Sequence, residues 1–254
     1  MDVVQQFGRE AEKYLASPTH GDQAELSDFM KLVQPHGGHI IDLATGAGHC
    51  AFAVAPFVDR VTLCDVTPRM LEVAMAEGER RGLTNLEVLQ ADCHDLPVPA
   101  ASFDGAICRL AAHHFLQPWT FLAEVHRVLK PGGWFLFVDT VGIEEDVLAS
   151  KALDQYETIR DPSHVCDYLA SQWREWCEQT GFAVEHQSSL HHRYPLTTWL
   201  DRMSVQEPQR SECTEILRAA TGALKSYLSP ECDENGEWSF LLHQTVIVAR
   251  RGEQ

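Results

Sequence analysis

Two glycines stand in a turn that could bring a ligand close to the backbone. The segment Ile40 to Ala51 reads IIDLATGAGHCA, so Gly46 and Gly48 lie between a short apolar run and the segment after it. Glycine permits tight dihedrals and close approach of a ligand, and a helix that begins there offers free amide groups to an anion. The pattern also fits the dinucleotide fingerprint, and an ordinary tight turn would produce it as well. The motif alone leaves the ligand open.

Three aspartates stand at the ends of the first three apolar runs, namely Asp42, Asp65 and Asp92. Ligands of open α/β sheets bind outside the carboxyl ends of the strands, so these acids are expected around one pocket. Asp65 suits the two ribose hydroxyls of a nucleoside, and Asp92 suits an adenine amino group. Each acid could instead cap a helix or form a turn. Together they favour a ligand with positive charge over a pyrophosphate.

A second group of reactive residues follows the fourth apolar run, in the segment CRLAAHHF. Arg109, His113 and His114 should emerge at the same edge as the aspartates, and they are the candidate catalytic residues. An imidazole there could remove a proton or orient a reactant, or it could be a structural histidine with a hydrogen bond at the strand end. In an extended segment only one of the two histidines points easily into the pocket, and we favour His114.

The elements that must position these residues alternate along the chain. From Gly38 onward, short apolar runs alternate with helix-period segments, which predicts a parallel sheet covered by helices. The clearest helical stripe ends at Pro131-Gly132-Gly133 and contains Phe121, Leu122, Val125, Val128 and Leu129. The predicted strands are residues 39–43, Val61 to Asp65, Leu86 to Gln90, Phe103 to Arg109, Trp134 to Val138, Phe182 to His192 and Ser239 to Arg250.

The whole chain, residues 1–254, is interpreted as a single domain. Its predicted parts are a helical cap (1–35), a core (36–140), helical additions that include a lid (141–238), and a last strand (239–251). The loop from Arg160 to His164 and the lid residues Trp199, Arg202 and Met203 could complete a pocket, although a Trp and a Met at helical spacing are more often core. Trp173 and Trp176 are assigned to packing.

Composition excludes several other classes of protein. The chain has 37 acidic against 20 basic residues and a formal net charge of −17, which would repel a nucleic acid backbone. It lacks the apolar run of about 18 residues that a membrane helix needs, and Met1 to Glu10 is too polar for a signal peptide. Its 8 cysteines form no C-x-x-C pair, and His191 and His192 lack partners at metal-binding spacing. We therefore expect a soluble cytoplasmic monomer or homodimer without a metal.

Four segments in order resemble the class I methyltransferases, especially the branch similar to the ubiquinone and menaquinone biosynthesis C-methyltransferases. They are IDLATGAG, VTLCDVTPRMLEVA, LQADCHDLPVPAASFDGAICRLAAHHF and EVHRVLKPGGWFLFVDT, and the likeness extends over about Gln34 to Thr140. The resemblance implies a Rossmann-like sheet of seven strands in the order 3-2-1-4-5-7-6, with the seventh antiparallel. It also implies S-adenosylmethionine as cofactor, S-adenosylhomocysteine as product, and a small organic methyl acceptor.

The resemblance also assigns residues to the cofactor by position. Asp42, Gly46 and Gly48 would line its methionine part, Asp65 its ribose, and Asp92 with Cys93 its adenine. The full implied set is Tyr14, Asp42, Ala44, Thr45, Gly46, Gly48, Asp65, Val66, Met70, Ala91, Asp92, Cys93 and Arg109. Tyr14 enters through FGREAEKY, which resembles the opening helix that closes over the cofactor in this branch, and Ala44 stands where many relatives have glycine.

The acceptor and the reaction stay open at this point, since function lives in the site rather than in the fold. Within a methyltransferase we expect C- or O-methylation of a quinone-like, aromatic or polyketide-like compound. A non-catalytic S-adenosylmethionine binder or partner subunit is one alternative. An NAD-dependent oxidoreductase is another, because the same glycine turn serves dinucleotides.

Overall fold

A computed structural model of the protein describes residues 3–253. Its helices are α1 (Val3–Leu15), α2 (Gln23–Val33), α3 (His49–Val54), α4 (Pro68–Arg80), α5 (Pro118–Val128), α6 (Val147–Arg160), α7 (Ala170–Gln179), α8 (Leu196–Arg202), α9 (Gln209–Ala219) and α10 (Gly222–Leu228). Its strands are β1 (His39–Leu43), β2 (Arg60–Asp65), β3 (Leu86–Gln90), β4 (Phe103–Arg109), β5 (Leu129–Thr140), β6 (Phe182–Pro195), β7 (Glu231–Cys232) and β8 (Trp238–Arg251).

The strands form one sheet in the order β3-β2-β1-β4-β5-β8-β6. Strands β1 to β5 run parallel, and β8 lies antiparallel between β5 and β6. The predicted order is thereby confirmed, with β8 in the place of the predicted seventh strand. The two-residue strand β7, which pairs with β8, was not predicted, because two residues carry no periodic pattern.

Helices cover both faces of the sheet, which explains why the central strands are continuous apolar runs. Neighbouring residues of a strand point to opposite faces, and in β1 Ile40 belongs to one buried cluster while Ile41 belongs to the other. The cluster on one face is completed by α5 and α7, and that on the other by α2 and α3. Trp173 and Trp176 pack on the α7 side with ring centroids 5.3 Å apart.

Strand β5 begins earlier than the sequence predicts. The Pro131-Gly132-Gly133 segment was expected to separate α5 from a strand beginning at Trp134, but the strand starts at Leu129, which pairs with Phe103. The register shifts before the next pair, Gly105 with Trp134, so the glycines lie in an irregular stretch inside the strand. Glycine tolerates the positive φ of +76° at Gly132.

The segment between β6 and β8 folds over the side of the sheet as α8, α9, α10 and β7. It shares a third buried cluster with α6, in which the Tyr156 and Trp199 rings stack with centroids 5.1 Å apart. At the other end of the chain, α1 packs against α4, and Lys13 Nζ donates to the Asp201 carbonyl at 3.1 Å. None of the helices in residues 3–253 combines the length and the apolar character needed to cross a membrane.

Candidate functional site

A cavity of about 320 Å³ opens at the carboxyl ends of β1, β2 and β4, beneath α1. The predicted site residues that line it are Tyr14, Asp42, Ala44, Thr45, Gly46, Asp65, Val66, Met70, Ala91, Asp92, Cys93, Arg109 and His114. Phe7, His20 and His49 line it as well and were not selected from the sequence. Gly48 and His113 are the two predicted residues outside this lining.

The two glycines of the turn have different tasks. A Cβ on Gly46 would meet nothing within 4 Å, whereas one on Gly48 would lie 2.6 Å from the Phe52 ring. Gly48, with φ of +88°, is therefore required by packing behind the turn and does not face the cavity. Ala44 has φ of +49°, a conformation that favours glycine.

The carboxylate of Asp42 is buried at the floor of the cavity. Its Oδ2 accepts hydrogen bonds from Thr45 Oγ1 at 2.6 Å and from the Ala51 amide at 3.0 Å. Burial raises the pKa of Asp42 to about 7, against the lowering effect of these hydrogen bonds. A cation beside it would favour the ionised form, because an opposite charge stabilises a carboxylate.

Asp65 stands at the end of β2 and is only 7% exposed. Its Oδ2 accepts from the Gly46 amide at 2.9 Å and its Oδ1 from the Thr67 amide at 2.8 Å. Burial raises its pKa although these amides hydrogen-bond the charged form. Thr67 occupies the N-cap of α4, but its side chain makes no capping hydrogen bond. The Asp65 carboxylate is fixed in place, and each oxygen can accept a second hydrogen bond.

Asp92 lies at the rim, with 65% of its side chain exposed. Its Oδ1 accepts from the His94 amide at 2.9 Å, and its contact with His94 Nδ1 is 2.6 Å. Partial burial raises the pKa of Asp92, but the two hydrogen bonds outweigh it and the net pKa is lowered. An ionised carboxylate thus faces the outer end of the cavity, beside the buried Cys93.

Arg109 is engaged with the segment that follows α1. Its Nη1 donates to the His20 carbonyl at 3.0 Å, its Nη2 donates to the Thr19 carbonyl at 3.1 Å, and it pairs with Glu25. These bonds hold the α1–α2 connection over the cavity and place the half-buried His20 in its wall. Arg109 also lines the cavity, and its predicted roles as a catalytic candidate and cofactor contact stay predictions.

The two histidines after β4 point to different partners. His113 donates its amide to Asp139 Oδ2 at 3.0 Å, and its Nδ1 lies 2.6 Å from Asp139 Oδ1. Burial lowers the pKa of His113, but the Asp139 charge outweighs it and raises that pKa to about 9. His114 Nδ1 lies 3.0 Å from the Ser163 carbonyl, and burial together with the charge of His113 lowers its pKa. His113 is therefore charged and His114 neutral near pH 7.

A second, smaller cavity of about 50 Å³ adjoins the first. It shares Phe7, Tyr14, His20, Leu110 and His114 with the first cavity, and its other lining residues are His113, Thr140, Glu157, Arg160, Asp161, Tyr194, Trp199, Arg202 and Leu242. The predicted loop at 160–164 and the lid around Trp199 thus meet here. Met203 is buried, and its Sδ accepts from the Tyr14 hydroxyl at 3.2 Å.

One cluster outside the lining of both cavities has the composition of a metal site. In the described part of the chain, ligand atoms of Asp154, His164 and Asp167 all lie within 4.8 Å of one another. His164 Nε2 already contacts Asp154 Oδ1 at 3.1 Å, and Asp167 Oδ1 accepts from Thr140 Oγ1. These contacts explain the cluster as an ion-pair network, so that the absence of a metal stays a prediction.

Comparison with known proteins assigns the family. A family model for a methyltransferase domain matches residues 41–137. The uncharacterized methyltransferase YcgJ of Bacillus subtilis is 29% identical over 95% of this chain and 96% of its own. The crystal structure of a candidate methyltransferase from Bacillus halodurans is 31% identical, with a TM-score of 0.85 over 90% of this chain and 99% of its own. The ubiquinone/menaquinone biosynthesis C-methyltransferase UbiE of Brucella anthropi is 31% identical over 57% of this chain and 59% of its own. The chain belongs to the class I S-adenosylmethionine-dependent methyltransferases.

Proposed function

We propose that the larger cavity binds S-adenosylmethionine and that the protein transfers its methyl group to a small organic acceptor in the adjoining space. The observation that carries the proposal is the ring of three carboxylates, Asp42, Asp65 and Asp92, around the larger cavity. Within residues 3–253, Arg109 is the one arginine of the lining, and its Nη donors are used by the chain itself. The lining therefore suits a cationic nucleoside better than a pyrophosphate.

Each carboxylate has a proposed partner in the cofactor. The fixed oxygens of Asp65 accept from the two ribose hydroxyls, and Asp92 accepts from the adenine amino group. Asp42, at the floor of the cavity, faces the positive charge of the methionine part. A charge-assisted hydrogen bond of this kind contributes about 1.5–3 kcal/mol.

His114 is proposed to orient the acceptor rather than to act as a strong base. A carbonyl can only accept, so the Nδ1 that contacts the Ser163 carbonyl carries the proton and Nε2 has the lone pair. The lowered pKa makes this imidazole a weak base but leaves it a hydrogen-bond acceptor for an acceptor hydroxyl. Methyl transfer is a direct displacement, for which placement supplies much of the rate.

The acceptor is proposed to be aromatic, quinone-like or polyketide-like, and to be methylated on carbon or oxygen. The wall between the two cavities supports this, because Phe7 lies edge-on to Tyr14 and His114, with ring centroids at 5.3 and 5.1 Å. We also propose a cytoplasmic location, since all 8 cysteines are free, as is usual in a reducing compartment.

Thermal denaturation with added ligand tests the cofactor assignment. A ligand that binds only the folded state raises the melting temperature, so S-adenosylmethionine and S-adenosylhomocysteine should raise it while NADH should not. An equal shift with NADH would favour an oxidoreductase. Screening of acceptors by mass spectrometry, for the gain of one CH₂ unit, then separates an enzyme from a non-catalytic binder.

A further inference from the structure

We propose that the methyl acceptor carries a carboxylate group and that Arg160 and Arg202 bind this group in the smaller cavity. The inference rests on the proposed function, and it narrows the acceptor to small organic acids. Two arginines converge on a space of about 50 Å³ that adjoins the proposed cofactor cavity through His114.

Arg160 lines the smaller cavity, and its guanidinium group is held by contacts with Trp199. It is 8% exposed, its Nε donates to the Trp199 carbonyl at 3.0 Å, and its guanidinium carbon lies 4.6 Å from the centre of the Trp199 ring. These contacts fix the plane of the guanidinium group and use one of its five donors. A guanidinium held in this way is ready for two parallel hydrogen bonds to a carboxylate.

Arg202 approaches the same space from the end of α8. Its guanidinium carbon lies 5.9 Å from the centre of the Tyr194 ring, and in residues 3–253 it makes neither a side-chain hydrogen bond nor an ion pair. Burial and the positive charge of Arg160 lower the pKa of Arg202. The pKa of His20 is lowered too. Burial is the largest cause, and the positive charge of Arg202 is the second. The two arginines thus bring two positive charges to one small cavity.

Two acids, Glu157 and Asp161, also line the smaller cavity. Asp161 Oδ1 accepts from the Ser163 amide at 2.9 Å and from Ser163 Oγ at 2.6 Å. Burial and the negative charge of Asp167 raise the pKa of Glu157, and its Oε1 is buried without a partner. In the described part of the chain, neither Asp161 nor Glu157 forms an ion pair with the two arginines. Bringing like charges together in a partly buried space is costly unless an anion pairs with them.

The neighbours of the smaller cavity suit a carboxylate. A planar carboxylate can accept two parallel hydrogen bonds from one guanidinium group, and the cavity is lined by two such groups. The Tyr14 hydroxyl lies beside both guanidinium groups. Burial raises the pKa of Tyr14, and the charges of the two arginines oppose this rise. An acid anchored here would direct the rest of its skeleton past His114 toward the proposed methyl group.

The test is calorimetry on the protein saturated with S-adenosylhomocysteine. The probes are matched acids and amides (benzoate and benzamide, cinnamate and cinnamamide, 4-hydroxybenzoate and 4-hydroxybenzamide), together with phenyl phosphate. At least one acid should bind roughly tenfold or more tightly than its amide, as expected for hydrogen bonds to a charged group. Arg202→Gln should abolish this preference and leave the affinity for S-adenosylhomocysteine unchanged. Arg218→Gln, which alters an exposed arginine of α9, should behave as the parent.

The melting temperature of the unliganded variant shows whether Arg202→Gln is folded. Arg202 makes no hydrogen bond to the described chain, and its removal relieves repulsion with Arg160, so the unliganded Arg202→Gln protein should melt at the same temperature as the parent or higher. Equal binding of every acid and its amide, or a preference retained in Arg202→Gln, would overturn the proposal. Tighter binding of phenyl phosphate than of benzoate would replace the carboxylate with a phosphate. Failure of S-adenosylhomocysteine itself to bind would instead overturn the proposed function, and the acceptor assignment with it.

Discussion

The buried ion pair between His113 and Asp139 should make the stability of the protein depend on pH. His113 is charged because its pKa is raised from 6.5 to about 9, and its side chain is only 17% exposed. A pKa shift of one unit corresponds to about 1.4 kcal/mol, so the pair contributes about 3 kcal/mol when the histidine is protonated in both states. This is a large part of the 5–15 kcal/mol of a typical domain.

The direction follows from the raised pKa. The folded protein binds the His113 proton more tightly than the unfolded chain, so the contribution is complete below about pH 6.5. It is lost as the pH rises through about 9. Asp139→Asn removes the charge partner and leaves the histidine in its buried position, where burial then lowers its pKa.

Urea unfolding followed by tryptophan fluorescence from pH 6 to pH 10 measures the effect. The free energy of unfolding of Asp139→Asn should be lower than that of the parent by about 3 kcal/mol at pH 6, and the gap should narrow steadily toward pH 10. Asp28→Asn, at an exposed acid paired with Lys31, serves as the control. A gap that is the same at every pH would refute a charged His113.

Three further results are expected. Ala44→Gly should raise the free energy of unfolding by about 0.5–1 kcal/mol in thermal or urea denaturation, because the φ of +49° costs alanine more than the added chain entropy costs glycine; Ala47→Gly, without a positive φ, should lower it. Gly48→Ala should lower it by roughly 1–3 kcal/mol, since φ is +88° and the new Cβ would meet the Phe52 ring. The affinity for S-adenosylhomocysteine, measured by calorimetry, should rise between pH 6 and pH 8 as Asp42 ionises at its pKa of about 7; Asp42→Asn should remove that dependence.

The sheet and the acids at its edge were predictable from local patterns. A strand buried on both faces needs an uninterrupted apolar run, and the runs of β1 and β2 end at Asp42 and Asp65, while Asp92 follows the more exposed β3. Parallel strands bring their carboxyl ends to one edge, so the three acids lie around the same cavity. The order of the strands came from the resemblance to a known family rather than from these patterns.

The remaining parts of the site depend on contacts between distant segments, which local patterns do not carry. Nothing near Arg109 indicates that it meets the carbonyls of Thr19 and His20. Similarly, Arg160 and Arg202 meet only after the insertion folds against α6. Strand β5 extends back to Leu129 because it pairs with β4 there. This pairing outweighs the tendency of a Pro-Gly-Gly segment to separate a helix from a strand.

Calorimetric titration with S-adenosylhomocysteine tests the central claim most directly, on the parent and on Asp65→Asn. The parent should bind one equivalent. In Asp65→Asn an amide group replaces one oxygen that accepts from Gly46 or Thr67, and affinity should fall roughly ten- to hundredfold, as expected for lost hydrogen bonds to a charged acceptor. Asp95→Asn, at an exposed acid outside the cavity lining, should bind as the parent does. No binding by the parent, or equal binding by Asp65→Asn, would contradict a cofactor site at the carboxyl ends of β1 and β2.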